Sequence, residues 1–78
     1  MVGSETIRRQ MSSEEPVGKV GRVTGTVAPD VVGEVMIAIR GGTEAFNARP
    51  ADGETIAIGQ RIVVIDYFPP RTVFVSPA

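Results

Sequence analysis

A chain of 78 residues makes one small domain that buries only about 60% of its unfolded surface, so it needs a dense core or a closed sheet. It has no His and no Cys, which excludes disulfide stapling, Cys/His zinc sites, Cys or His nucleophiles and thiol redox chemistry. Eight basic and nine acidic residues leave a net charge of −1, unlike the strongly basic balance of a dedicated duplex-DNA binder.

At 42% hydrophobic the chain is globular in composition. Its longest apolar runs, such as Ile62 to Ile65, are far too short to span a membrane. The N-terminus lacks the basic-then-apolar order of a signal peptide. Met1 to Pro16 is rich in Ser, Glu and Arg and reads as a flexible polar leader or linker, its first four residues partly an expression scar. Ile7 and Met11 are spaced for one or two helical turns, and Ser12-Ser13-Glu14-Glu15 before Pro16 ends any such turn.

From Val17 to Ala78 the pattern is β. No apolar stripe at helical spacing is sustained, while short Val/Ile-rich runs recur between turn signals. The first strand is expected over Gly18 to Val27, with Gly18, Gly21 and Gly25 marking bends or close backbone approach. A turn follows at Ala28-Pro29-Asp30. The second strand runs from Glu34 to Arg40, with Val35, Ile37 and Ile39 alternating against Met36 and Ala38. Gly41-Gly42 makes a tight hairpin. The third strand, Glu44 to Arg49, puts Phe46 and Ala48 inward. Pro50 to Gln60 interrupts the series, and Ile56 and Ile58 are expected to anchor this loop on the core. The fourth strand, Arg61 to Phe68, ends at Pro69-Pro70, because proline has no N–H for the ladder. A bulge near Val64 and Ile65 would change which of Val63 and Ile65 faces inward. The fifth strand, Thr72 to Ser76, sets Val73 and Val75 against Phe74.

Five short strands with a bent first strand and an interrupted third connection predict an all-β, five-stranded OB-like Greek-key barrel, since closure removes the edges of a short open sheet. An SH3-like barrel is the structural alternative.

Little in this sequence points to chemistry. A Ser–Lys dyad needs a serine on ordered structure beside Lys19, yet Ser4, Ser12 and Ser13 fall in the leader and Ser76 near the chain end. Asp30, Glu34, Asp52 and Glu54 read as solvated turn acids, too few and too scattered for an acid–base pair or a calcium loop. Gly18-x-x-Gly21 precedes a strand and lacks the helix N-terminus of a phosphate loop. No catalytic residue, cofactor or metal is therefore expected.

A single-stranded nucleic-acid site would need exposed aromatics and a basic groove. Here Val17 to Ala78 holds six basic residues (Lys19, Arg22, Arg40, Arg49, Arg61, Arg71) against six acids (Asp30, Glu34, Glu44, Asp52, Glu54, Asp66), so that reading stands as the alternative. The favoured one is a protein-docking surface. Met36, Ala38, Val63 and Phe74 are apolar on faces assigned outward, and contiguous apolar patches mark partner sites. Met36, Val63 and Phe74 are the candidate partner-binding residues.

Several segments in order carry a family resemblance. They are Val17-Gly18-Lys19-Val20-Gly21-Arg22-Val23, Pro29 with Gly33-Glu34-Val35-Met36-Ile37, Gly42 to Arg49, Ile58-Gly59-Gln60-Arg61-Ile62-Val63-Val64-Ile65, and Val73-Phe74-Val75. Together they resemble the C-terminal soluble domain of the NfeD-like family. Two departures stand out: Phe46 where the family often has Trp, and Pro69-Pro70-Arg71 where a Gly-containing turn is common.

The resemblance implies an OB barrel preceded by membrane-spanning helices that this segment lacks. Arg8 and Arg9 would then belong to a juxtamembrane linker on the cytoplasmic side. It also implies a stomatin- or flotillin-type membrane-protein partner and a role in regulating membrane proteases; the docking reading itself extends to an oligomer of this chain as the alternative occupant. The serine protease domain of longer members is absent from this segment.

Overall fold

The computed structural model describes residues 16–39 and 41–78. The predicted leader through residue 15, with the Ile7–Met11 turn and Arg8-Arg9, lies outside the described residues, as does Arg40. Five strands follow in chain order: β1 Val20–Gly25, β2 Gly33–Ile39, β3 Gly42–Pro50, β4 Arg61–Phe68 and β5 Thr72–Pro77. They close in the order β1-β2-β3-β5-β4 and back to β1. All pairs are antiparallel except β3 with β5. The chain passes from β3 across one end of the barrel to β4, then returns beside β3 as β5. That crossover makes the closed sheet an OB-like Greek key and sets aside the SH3-like alternative.

The core follows from period-two alternation. Val23 of β1, Val35 and Ile37 of β2, Phe46 and Ala48 of β3, Ile62 and Val64 of β4, and Val73 and Val75 of β5 all point inward and are buried. Among the described residues no buried position is polar or charged. Each large aliphatic contributes about 1.5–3 kcal/mol by leaving water.

Strand ends differ from the sequence expectation where tertiary pairing decides them. The first strand is shorter than Gly18 to Val27. Its register against β2 shifts between Val23 and Gly25, and the strand ends at Gly25, still paired with Glu34. Val27 instead exchanges both backbone hydrogen bonds with Ile56, at 3.1 and 2.7 Å. That isolated bridge joins the β1–β2 connection to the β3–β4 connection and plugs one barrel end with two side chains that are fully buried. Ile56 is thus the anchor expected of it. Ile58 is not: it is 64% exposed, because the bridge holds Ile56 inward and Ile58 lies beyond it in the turn that leads to β4.

The β2–β3 hairpin turns one residue earlier than Gly41-Gly42. Gly41 has a φ of +78°, a left-handed conformation that suits glycine. Gly42 already pairs with Ile39 as the first residue of β3. Pro16, assigned to the leader, is buried, and its carbonyl accepts a hydrogen bond from the Lys19 N–H.

A bulge lies where one was expected, but it does not exchange Val63 and Ile65, which both stay outward. The β4–β5 register shifts between Val64 and Asp66. Two residues, Ile65 and Asp66, therefore face outward in succession, and Tyr67 turns back to pack against the core. Strict alternation from Ile62 and Val64 would have aimed the Asp66 carboxylate into the barrel, where an unpaired charge is prohibitively costly.

Two contrasts test this account. Ile56→Ala should lose about 2–5 kcal/mol, and Ile58→Ala should stay within about 0.5 kcal/mol of the parent, both read from urea unfolding. At Gly21 an added Cβ would sit 2.5 Å from the Met36 carbonyl oxygen, whereas at Gly42 it would meet nothing within 4 Å. Gly21→Ala should accordingly cost about 1–3 kcal/mol, and Gly42→Ala should be neutral or slightly stabilising, as followed by thermal melts.

Candidate functional site

Strand alternation sets Val63, Ile65 and Phe74 on the outside of β4 and β5, and the bulge adds Phe68 to them. Phe74 on β5 sits between Arg49 of β3 and Asp66 of β4. Val63 on β4 sits between Val20 of β1 and Ser76 of β5. On the same side Phe68 meets Phe74 edge-on, with ring centroids 5.2 Å apart at 61°. Ile65 is 50% exposed and Phe68 53%, while Val63 and Phe74 are half-buried.

The structure thus brings two of the three candidate residues, Val63 and Phe74, onto one face. Met36 lies elsewhere. It is half-buried on the outside of β2, flanked by Arg22 of β1 and Ala45 of β3, so β1 separates it from β4. Ala38, exposed two residues along, shares its strand. Sequence reasoning missed Ile65 and Phe68 as members of the outer face. Simple alternation over Arg61 to Phe68 places Phe68 inward with Val64. Only the extra residue at the bulge reverses it.

The charged groups are dispersed and locally engaged. Arg71 pairs with Glu44 at 3.3 Å and lies 5.1 Å above the Phe46 ring. Phe46 in turn meets Tyr67 edge-on at 6.2 Å, and the Tyr67 hydroxyl donates to the Pro70 carbonyl at 3.1 Å. Arg22 donates to the Gly59 carbonyl at 3.0 Å, and Arg49 to the Pro29 carbonyl at 3.2 Å. Thr24 donates to a Glu34 carboxylate oxygen at 2.7 Å.

These pairs tie loops to strands around the whole barrel instead of lining one groove with positive charge. The outward aromatics Phe68 and Phe74 share their face with Asp66, which repels a phosphodiester backbone. Among the described residues, no group of three or more carboxylates could hold a metal ion. The Ser76 hydroxyl lies 3.5 Å from an Asp52 carboxylate oxygen, as a hydrogen-bond donor to it. No helix among the described residues is long and apolar enough to cross a membrane.

Comparison with known proteins adds a family. The family model described as the NfeD C-terminal domain matches residues 20–76. Among solved structures, the chain is similar to the soluble domain of the NfeD protein YuaF from Bacillus subtilis. That match is 33% identical with a TM-score of 0.68, and covers 77% of this chain and 70% of that one. It is also similar to the C-terminal domain of stomatin operon partner protein 1510-C from Pyrococcus horikoshii. There the identity is 28% and the TM-score 0.61, covering 81% of this chain and 88% of that one. No curated protein matches the chain.

The division between core and outer face has a direct stability consequence. Phe46→Ala, at a position only 4% exposed, should cost about 3–5 kcal/mol. Phe68→Ser removes a solvent-facing aromatic pair and should cost about 0.5–1.5 kcal/mol. Paired denaturant titrations would show whether the two phenylalanines differ this way.

Proposed function

The chain belongs to the NfeD C-terminal domain family, and from that premise we propose that it is a soluble, non-catalytic interaction domain of a membrane protein. It docks onto a stomatin- or flotillin-type membrane protein and through that contact takes part in regulating membrane protease activity. Helices upstream of the barrel attach it to the membrane, with the barrel on the cytoplasmic side.

One observation carries the docking reading. The barrel interior is already filled by buried aliphatics from every strand, yet Val63, Ile65, Phe68 and Phe74 spend further apolar surface on the outside of β4 and β5. A barrel this small has no structural need for it, and such patches commonly serve partners. The similar domain from Pyrococcus horikoshii is that of a stomatin operon partner protein, which supports the partner class. Enzymatic roles gain no support from the serine and carboxylate positions, since Ser76 and Asp52 face each other at the surface with no base or oxyanion site built around them.

The alternative is a single-stranded nucleic-acid module, for which Phe68 and Phe74 would be the stacking platform. The neutral balance of the barrel opposes it, and salt separates the two readings. Phosphate binding weakens steeply with added salt, whereas an apolar protein interface does not.

The decisive experiment is recovery of partners from native membranes with the parent protein and with its Phe74→Ser variant. Loss of a stomatin- or flotillin-type protein from the variant, with the barrel still folded by circular dichroism, is the expected result. Equal recovery from both would move the interaction off this face. Met36→Ser, on the separate β2 surface, then tests the remaining candidate position.

A further inference from the structure

A partner that covers the apolar face of β4 and β5 must also cover Asp66. This exposed carboxylate stands between Ile65 and Phe68 on β4 and directly opposite Phe74 in the β4–β5 ladder. Val20, 44% exposed and opposite Val63, continues the apolar surface onto β1. An apolar surface laid here strips water from the carboxylate, and a desolvated charge without a counter-charge opposes binding.

The barrel does not supply that counter-charge. Among the described residues the one ion pair is Arg71 with Glu44. Arg61, the base on β4, starts the strand five residues before Asp66, about 16 Å along an extended chain, where salt screens it. Arg49, across β5, donates to the Pro29 carbonyl. One Asp66 oxygen accepts the Tyr67 N–H at 2.9 Å, and a carboxylate can accept at both.

The neighbouring ring decides which donor fits. A cation is drawn to the face of a phenylalanine, and a charge-assisted hydrogen bond is about twice as strong as a neutral one. The same combination operates at one end of this barrel, where Arg71 pairs with Glu44 at 3.3 Å and lies 5.1 Å from the centroid of Phe46. A planar guanidinium can stack on a ring while donating to a carboxylate, and it is more weakly hydrated than an ammonium.

We propose that the membrane-protein partner seats an arginine, flanked by apolar side chains, against Asp66 and the Phe74 ring, and that Asp66 selects partners by that arginine. The inference rests on the reading of this face as a docking surface and names the chemistry of what docks there.

Two capped peptides test it on the 78-residue chain. One is acetyl-Leu-Arg-Leu-amide, and the other carries citrulline, a neutral group of similar shape, in place of arginine. Each is titrated in at millimolar concentration and followed by backbone amide shifts in NMR spectra. The shifts should centre on Ile65 to Phe68 and on Phe74, with the arginine peptide bound about tenfold more tightly than the citrulline one. Asp66→Asn keeps an oxygen for the Tyr67 N–H and should bring the two peptides to equal affinity. Asp66→Glu should retain the preference. Circular dichroism melts confirm that each variant is folded.

Equal affinity on the parent chain overturns the proposal. So do shifts centred elsewhere, a preference that survives Asp66→Asn, or no binding by either peptide. Recovery from native membranes separates this proposal from the reading beneath it. Both Phe74→Ser and Asp66→Asn should lose the membrane-protein partner. Loss with Phe74→Ser alone would overturn the arginine and leave the docking reading standing, whereas full recovery with both would remove the docking reading itself.

Discussion

The fold depends on closing a five-stranded sheet at a short seam between its first and fourth strands. Only three residue pairs define that seam, Val20 with Val63, Gly21 with Ile62 and Arg22 with Arg61. Backbone hydrogen bonds extend it beyond the strands in both directions. At one end Gly18 and Lys19 bond Val64, and at the other Val23 exchanges bonds with Gln60 and Gly59. Gly21 lies at the centre of the seam, opposite Ile37 on one side and Ile62 on the other. A side chain there would strike the Met36 carbonyl. Closure satisfies the donors and acceptors that an open edge would offer to other chains. It also lets a small core exclude water from all sides.

Two further devices follow from that closure. The Val27–Ile56 bridge seals the barrel end that the long connections cross. At the other end Arg71 and Tyr67 pack on Phe46. On the outer wall the bulge at Ile65 and Asp66 couples fold to surface. It keeps the Asp66 charge out of the core and, in the same step, turns Phe68 outward beside Phe74. The outward placement of the carboxylate and of Phe68 is the product of one extra residue in one strand.

Opposite charges are spread over the barrel in local pairs, so no strong field gathers a charged ligand. Specificity at an apolar protein surface comes from complementarity to the surface it meets.

The sequence by itself determined the five strands, their inward residues and the family. These depend on alternation, on Pro69-Pro70 and on the glycines, all of which act within a few residues along the chain. It also determined what is excluded, because chemistry that needs His or Cys cannot occur without them. Val63 and Phe74 were legible as outward-facing for the same local reason. Only the tertiary structure decided the rest. That Ile56 plugs the barrel while Ile58 does not depends on a bridge to Val27, a residue of the other long connection. That Met36 stands apart from Val63 depends on β1 lying between their strands. Phe68 joins Phe74 because the bulge shifts the register of a strand pair, and neither strand shows that shift alone. Cross-strand neighbours are set by closure, and closure is a property of the whole chain that no local pattern encodes.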